Sequence, residues 1–211
     1  IKGNREINLL IEKGNQVLRE LGYTEHSRKH AAKTAETAAM ILKELGYGRH
    51  KVELARIAGY MHDIGNSVNR ADHAHTGAML AYGILKEMGM PLELTVTSAI
   101  GHHDEATGSP VDEVSAALIL ADKSDVRRNR VQNPVPARFD AHDRVNYAVL
   151  SCKMNIDKEK RTISVQIDLD DEICTVMDYF EIFLKRMVMC RKAAEKLQCR
   201  FKLSANGSKL C

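Results

Sequence analysis

The chain has no tryptophan, 5% aromatic residues and four prolines among 211 residues. With so few Pro and Gly residues and 44% apolar residues, it is neither collagen-like nor a low-complexity disordered segment. Long apolar runs are also missing. The longest, such as Ala116 to Ala121, fall far short of the roughly 20 residues a membrane helix needs. No secretory apolar segment opens the sequence, so a cytoplasmic protein is expected. Charge of one sign is scarce. The 31 Lys and Arg exceed the 28 Asp and Glu by only +3, too little to argue for a nucleic-acid partner. The five cysteines, Cys152, Cys174, Cys190, Cys199 and Cys211, are odd in number and show no C-x-x-C spacing. A disulfide framework or zinc knuckle is therefore not expected, and the first four read as small buried apolar residues.

What is there is, first, helical periodicity. Glu6 to Leu21 carries Ile7, Leu10, Ile11, Val17 and Leu18 at helical spacing before Gly22. A second helix is expected from Glu25 to about Leu45, capped by Thr24. A third runs from Val52 to about Asp63, stopped by Gly65. Further helices are expected over Ala71 to Met88, Leu92 to about Gly101, and from after Pro110 to about Arg128. Near residue 146 the period changes to two. Ala148, Leu150, Cys152, Met154 and Ile156 share one strand face, and Ile163, Val165, Ile167 and Leu169 share another, across the turn at Asp157 to Lys160. A long amphipathic helix bearing Ile173, Met177, Phe180, Leu184 and Met187 follows, and Cys199-Phe201-Leu203 alternates like a third strand before the Asn206-Gly207 turn. The expected architecture is mainly α: a helical bundle over residues 1–145, then a small α/β unit over 146–211. The Pro-bearing stretch Val131 to Phe139 is the expected joint.

Second, nine histidines are present, and they are not spread evenly. His62-Asp63 ends an apolar helix, and His102-His103-Asp104 ends another. Asp122 follows Ser115 to Ala121, in which six of seven residues are apolar. A carboxylate ending such a buried run needs a partner. A cation is the simplest partner for several such groups at once, and imidazole with carboxylate suits transition metals. Adjacent ligands cannot share one helix face, but both can bind if the helix ends at the pair.

Five segments, in order, resemble the HD-domain superfamily of metal-dependent phosphohydrolases. They are His26-Ser27-Arg28-Lys29-His30-Ala31, Tyr60-Met61-His62-Asp63-Ile64-Gly65, His73-Ala74-His75-Thr76-Gly77-Ala78, Ile100-Gly101-His102-His103-Asp104-Glu105 and Leu120-Ala121-Asp122-Lys123. The resemblance covers about residues 24 to 128. It implies His26, His62, Asp63 and Asp122 as a minimal metal set. His73, His102 and His103 are similar to the branch that holds two metals with Asp63 bridging, for which iron or manganese is favoured and Mg, Zn, Ni or Co are alternatives. Asn66 stands where that branch has Lys. Its Gly-Tyr-Pro signature is absent, since the segment reads Thr107-Gly108-Ser109-Pro110, so cyclic-di-nucleotide cleavage loses support.

The implied activity is hydrolysis of a phosphomonoester or phosphodiester in a small nucleotide-like molecule, with Asp63 and His62 as catalytic residues. Arg70, Lys123, Arg127 and Arg128 are candidates for gripping phosphate, and Asp104 or Glu105 for orienting a ligand imidazole. His30 rivals His26 one turn later, and His75 rivals His73. His102 is the softest ligand. His50 is expected in solvent, and His142-Asp143 in a loop or cap. A di-iron oxygenase and a non-catalytic metal-binding sensor or scaffold are the rival readings. The expected partner is a small phosphorylated substrate, with neither nucleic acid nor membrane, and a homodimer is allowed.

Overall fold

A computed structural model describes residues 1–90, 94–135 and 139–211. Its first part is built of helices α1 (Arg5–Glu20), α2 (Arg28–Glu44), α3 (Arg49–Met61), α4 (His73–Glu87), α5 (Leu94–Gly101) and α6 (Glu113–Lys123). Next come α7 (Ala141–Ala148), the hairpin β1 (Val149–Asp157) and β2 (Thr162–Leu169), the long α8 (Val176–Lys196), β3 (Arg200–Ala205) and β4 (Ser208–Lys209). Mainly α with a C-terminal α/β part is thus the observed class.

Side-chain caps set several helix starts. Asn4 accepts from the Ile7 N–H at 3.0 Å and Asp112 from the Ser115 N–H at 2.7 Å, satisfying donors that the first turn leaves open. The second helix is capped by Ser27, whose hydroxyl accepts from the Lys29 N–H at 3.1 Å, and not by Thr24. That later start leaves His26 in the approach loop and puts His30 in the first turn. The sixth helix ends at Lys123, earlier than expected, and Arg128–Arg130 form a short 3-10 turn. Helix α7, capped by Asp140, was not expected; His142 and Asp143 lie in its first turn. The anticipated residues Leu92 at the start of the fifth helix and Pro136, Ala137 and Arg138 within the joint lie outside the described residues.

Helix α6 is buried along almost its whole length and packs against α2, α3, α5 and α8. It therefore connects the bundle to the C-terminal layer, and one apolar core runs from Ile7 to Leu203. The sheet order is β1-β2-β3-β4, with β2 and β3 parallel, so α8 is the crossover between them. Ile163, Val165, Ile167 and Leu169 are buried on one face as expected. Leu150 departs from the pattern: a register shift between Val149 and Ser151 turns it out, 60% exposed. Asn206 and Gly207 both take positive φ, 47° and 78°, and join β3 to β4.

One close approach matters for the site. After His62 the chain forms a 3-10 turn, Ile64–Ser67, against the start of α4. A Cβ on Gly65 would lie 2.0 Å from the His73 carbonyl oxygen and 2.5 Å from the Gly77 nitrogen. Only glycine lets these two backbones meet. No helix among the described residues is long and apolar enough to cross a membrane.

Candidate metal centre

Helix ends deliver the side chains. His30 lies in the first turn of α2, His62 is the C-cap residue of α3, and Asp63 follows it. His73 opens α4, His103 follows α5, and Asp122 is in the last turn of α6. Because α3 ends there, neighbours His62 and Asp63 both turn inward, and His62 Nε2 lies 3.1 Å from Asp63 Oδ2.

Five imidazoles in this region, those of His26, His30, His62, His73 and His103, have Nδ1 already engaged. His26 Nδ1 is 2.7 Å from the Thr24 carbonyl, His62 Nδ1 2.8 Å from Gly59, His73 Nδ1 3.1 Å from Arg70 and His103 Nδ1 2.7 Å from Ile100. His30 Nδ1 is 2.8 Å from Asp125 Oδ2. A carbonyl oxygen can only accept, so Nδ1 donates and the neutral tautomer leaves the lone pair on Nε2. Those Nε2 atoms face one another: His30 to His62 at 3.2 Å, and His73 to His103 at 3.2 Å. Two lone pairs at that distance repel unless a proton or a cation lies between them.

Asp63 sits between the two histidine pairs. Its Oδ2 is 3.1 Å from His62 Nε2, 3.6 Å from His30 Nε2 and 4.0 Å from His26 Nε2. Its Oδ1 is 3.7 Å from His73 Nε2 and 3.8 Å from His103 Nε2. Asn66 Nδ2 donates to Oδ1 at 2.9 Å, whereas Oδ2 is buried with no hydrogen-bond partner. Asp122 Oδ1 is 3.2 Å from His30 Nε2 and 3.6 Å from His62 Nε2. Three overlapping groups have donor atoms within 4.8 Å of one another: His30, His62 and Asp63; His62, His103 and Asp122; Asp63, His73 and His103. An orphaned carboxylate oxygen and converging lone pairs of nitrogen fit a divalent transition metal.

The electrostatics agree. Burial opposes charge on His62, but Asp63 and Asp122 outweigh it and lift the imidazole to about 10. Burial, reinforced by His103 and Arg70, holds His73 at about 4. Burial also lowers His26, against the pull of Asp63. Burial would raise the carboxyl groups of Asp63 and Asp122. The imidazoles around Asp63, and Lys123 with His30 and His62 around Asp122, instead keep both well below the usual carboxylate range.

The inner cavity holds about 20 Å³, room for one or two waters or ions and not for an organic molecule. His26, Arg70, Asn146 and Arg186 line both it and an outer cleft of about 450 Å³. That volume falls in the roughly 300–1,000 Å³ range of small-molecule sites.

Other expected residues lie as follows. His102 is not among the converging groups, and its Nδ1 is buried without a partner. His75 points outward, its side chain 58% exposed, with Asp72 nearby. Arg70 lines the cavity, with Nη1 3.3 Å from Asn66 Oδ1 and its guanidinium over the Tyr23 ring. Lys123 is buried between Asp122 Oδ2 at 2.9 Å and Glu105 Oε2 at 2.6 Å. Arg127 pairs with Asp125, and Arg128 turns to the Tyr147 carbonyl and Asp170. Asp104 Oδ2 lies 3.8 Å from His73 Nε2, on the inward side of that ring and away from Nδ1. His142 is exposed and borders the outer cleft.

Sequence reasoning did not name Asp125, which orients His30, or Arg186 of α8. Asp125 had one weak signal, its place three residues after Asp122. Arg186 had none, because its helix reads as an apolar stripe.

A family model described as HD domain matches residues 28–182. An uncharacterized protein of Methanocaldococcus jannaschii is 25% identical over 194 residues, covering 80% of this chain and 74% of its own length. Ribonuclease Y of Opitutus terrae is 33% identical over 103 residues, and that of Thermus thermophilus 37% over 102 residues. Each of these alignments takes in 47% of this chain, but only 18% and 16% of the ribonuclease Y chains.

Proposed function

The chain belongs to the HD domain family, and on that footing we propose that it hydrolyses a phosphoester bond in a small nucleotide-like molecule. The reading assigns divalent cations, iron or manganese by preference, to His30, His62, Asp63, His73, His103 and Asp122, with His26 at the rim. One observation carries it: the Nε2 atoms of five imidazoles converge on Asp63 and Asp122 while the Nδ1 of each is already bonded. Two ions, one on each side of Asp63, is the finer form of the proposal, since its two oxygens face separate histidine pairs.

When bound, divalent cations supply Lewis acidity, lowering the pKa of a water and neutralising phosphate charge. The chain's own residues do the rest. Asn66 fixes Asp63 by Oδ1, leaving Oδ2 to help hold a cation and to accept a hydrogen bond that would aim the attacking water. His62 stays oriented by the Gly59 carbonyl. Arg70 contributes positive charge at the cavity wall, and the buried Lys123 offsets Asp122 and Glu105. The inner cavity has room for little more than the ions, so the substrate would lie in the outer cleft with its phosphoryl group directed at the cavity mouth.

The test is elemental analysis of protein purified without added metal, together with a phosphomonoesterase and phosphodiesterase panel. Release of phosphate or alcohol that depends on metal supports the reading. Oxygen consumption without phosphate release would establish an oxygenase, and bound metal without turnover a sensor or scaffold. A single-stranded RNA belongs in the panel, because the identity to ribonuclease Y proteins favours RNA as a second substrate class.

A further inference from the structure

Of the guanidinium groups expected to grip phosphate, none has its full fork open to the cavity. Arg70 Nη1 faces Asn66 Oδ1 and His73 Nε2, both at 3.3 Å, so its Nη1–Nη2 end is half engaged and only its Nε–Nη2 side has no partner among the described residues; Arg127 binds Asp125, and Arg128 binds Tyr147 and Asp170. Arg130 lines the cavity, but its Nε donates to the Glu25 carbonyl and its Nη1 to the Asp125 carbonyl. The Lys123 ammonium lies between two carboxylates.

Arg186 differs. It reaches the cavity from α8, in the C-terminal layer, and lines both the inner cavity and the outer cleft. Its Nε donates to Glu105 Oε1 at 2.9 Å, and its guanidinium carbon lies 4.4 Å from the Phe183 ring centroid. Glu105 is in turn tied by Oε2 to Lys123 at 2.6 Å. The plane and direction of the guanidinium are therefore set from two sides. Neither Nη has a protein partner among the described residues. A pre-oriented fork with two free N–H edges at the mouth of a cation site matches the oxygens of a phosphoryl group.

We infer that Arg186 is the phosphate-binding residue of this site, holding two non-bridging oxygens of the substrate through Nη1 and Nη2, with Glu105 as its positioning residue. The inference rests on the phosphohydrolase reading. It makes the C-terminal layer part of the active site.

The test uses the full chain loaded with Mn²⁺. Inorganic phosphate binding is measured by calorimetry, Mn²⁺ affinity is measured separately, and KM and kcat are measured on bis(p-nitrophenyl) phosphate. Arg186→Gln should weaken phosphate binding at least tenfold, with Mn²⁺ affinity within twofold of wild type. Arg186→Lys, which keeps charge but loses the fork, should fall between. Unchanged phosphate affinity in Arg186→Gln overturns the inference. So does a loss that saturating Mn²⁺ restores, because Arg186 would then act only as a support for Asp122. If Arg186→Gln does not fold, Arg186→Lys decides: threefold or greater weakening supports the inference, and parity overturns it. Turnover by wild type with phosphate binding unaffected in the variants sinks this inference alone. Arg186-dependent phosphate binding without turnover of any phosphoester sinks the hydrolase reading alone.

Discussion

The buried Asp125 carboxylate holds the Nδ1–H of His30 at 2.8 Å, and it is also the counter-ion of Lys33, Arg127 and Arg130. Such outer partners typically set metal affinity by 10–100-fold. Asp125→Ala should therefore weaken Mn²⁺ binding about 10–100-fold. It should also cost about 3 kcal/mol of stability, because Arg127 and the buried Arg130 lose a shared buried carboxylate, and Glu25 Oε2 at 3.9 Å is the one left to Arg130. Asp125→Asn keeps an acceptor for His30 and should cost less on both counts. Metal titration and thermal denaturation measure the two effects.

Metal affinity should rise with pH. Without a cation, Asp63 and Asp122 lift His62 to about 10, so at pH 7 to 9 that imidazole carries a proton which coordination must displace. The expected slope is about tenfold tighter Mn²⁺ binding per pH unit across that window, with about one proton released per site. His73, held at about 4, is already neutral there and adds nothing to the slope. Calorimetry in buffers of different ionisation enthalpy counts the protons.

Asp63→Ala should abolish metal-dependent turnover and leave the helical circular dichroism unchanged. His30→Ala should lose more metal than His26→Ala, since His30 Nε2 is within 3.6 Å of both carboxylates whereas His26 Nε2 is 4.0 Å from one. His142→Ala should leave metal affinity as it is. Equal loss in Asp63→Ala and His142→Ala would contradict the assignment.

Gly65→Ala should be disproportionately damaging for one methyl group. The new carbon would overlap the His73 carbonyl and the Gly77 nitrogen, both backbone atoms that no rotamer change can move aside. A cost of about 3 kcal/mol is expected, together with loss of metal binding as His73 is pushed away. Chemical denaturation and metal titration read the two.

The native protein should show one fast thiol. Burial pushes Cys190 up to about 12 and Cys152 up to about 11, so neither forms much thiolate at pH 8, and Cys174 and Cys199 are buried. Cys211 is exposed. A colorimetric thiol reagent should titrate one group quickly in native protein and five after denaturation.

Much of the helical framework was legible in the sequence because apolar periodicity and glycine stops are local signals. The His-Asp clusters could be located because each falls where an apolar run stops. The order of His26 and His30 could not be settled that way. It depends on whether Thr24 or Ser27 caps α2, and Glu25 keeps residues 24–26 out of the helix through its N–H bond to the Arg130 carbonyl, a contact spanning the chain. Asp125 was hidden because α6 stops at Lys123, a break with no glycine or proline to mark it. Leu150 was misplaced because a bulge inverts an alternation that is otherwise regular. Arg186 was out of reach of pattern reading, since only the packing of α8 on α6 carries it to the cavity.

Four of the five imidazoles take their orientation from a main-chain oxygen two or three residues upstream: Thr24, Gly59, Arg70 and Ile100. A main-chain oxygen is present whatever side chain its residue bears. Exchanges at positions 24 and 100 therefore leave that anchor in place, whereas at position 70 the side chain also faces His73 Nε2 at 3.3 Å. Descendants of this chain can drift widely around the histidines while the rings keep their aim, and the side-chain-anchored exception, His30 on Asp125, is the place where drift must change two residues together.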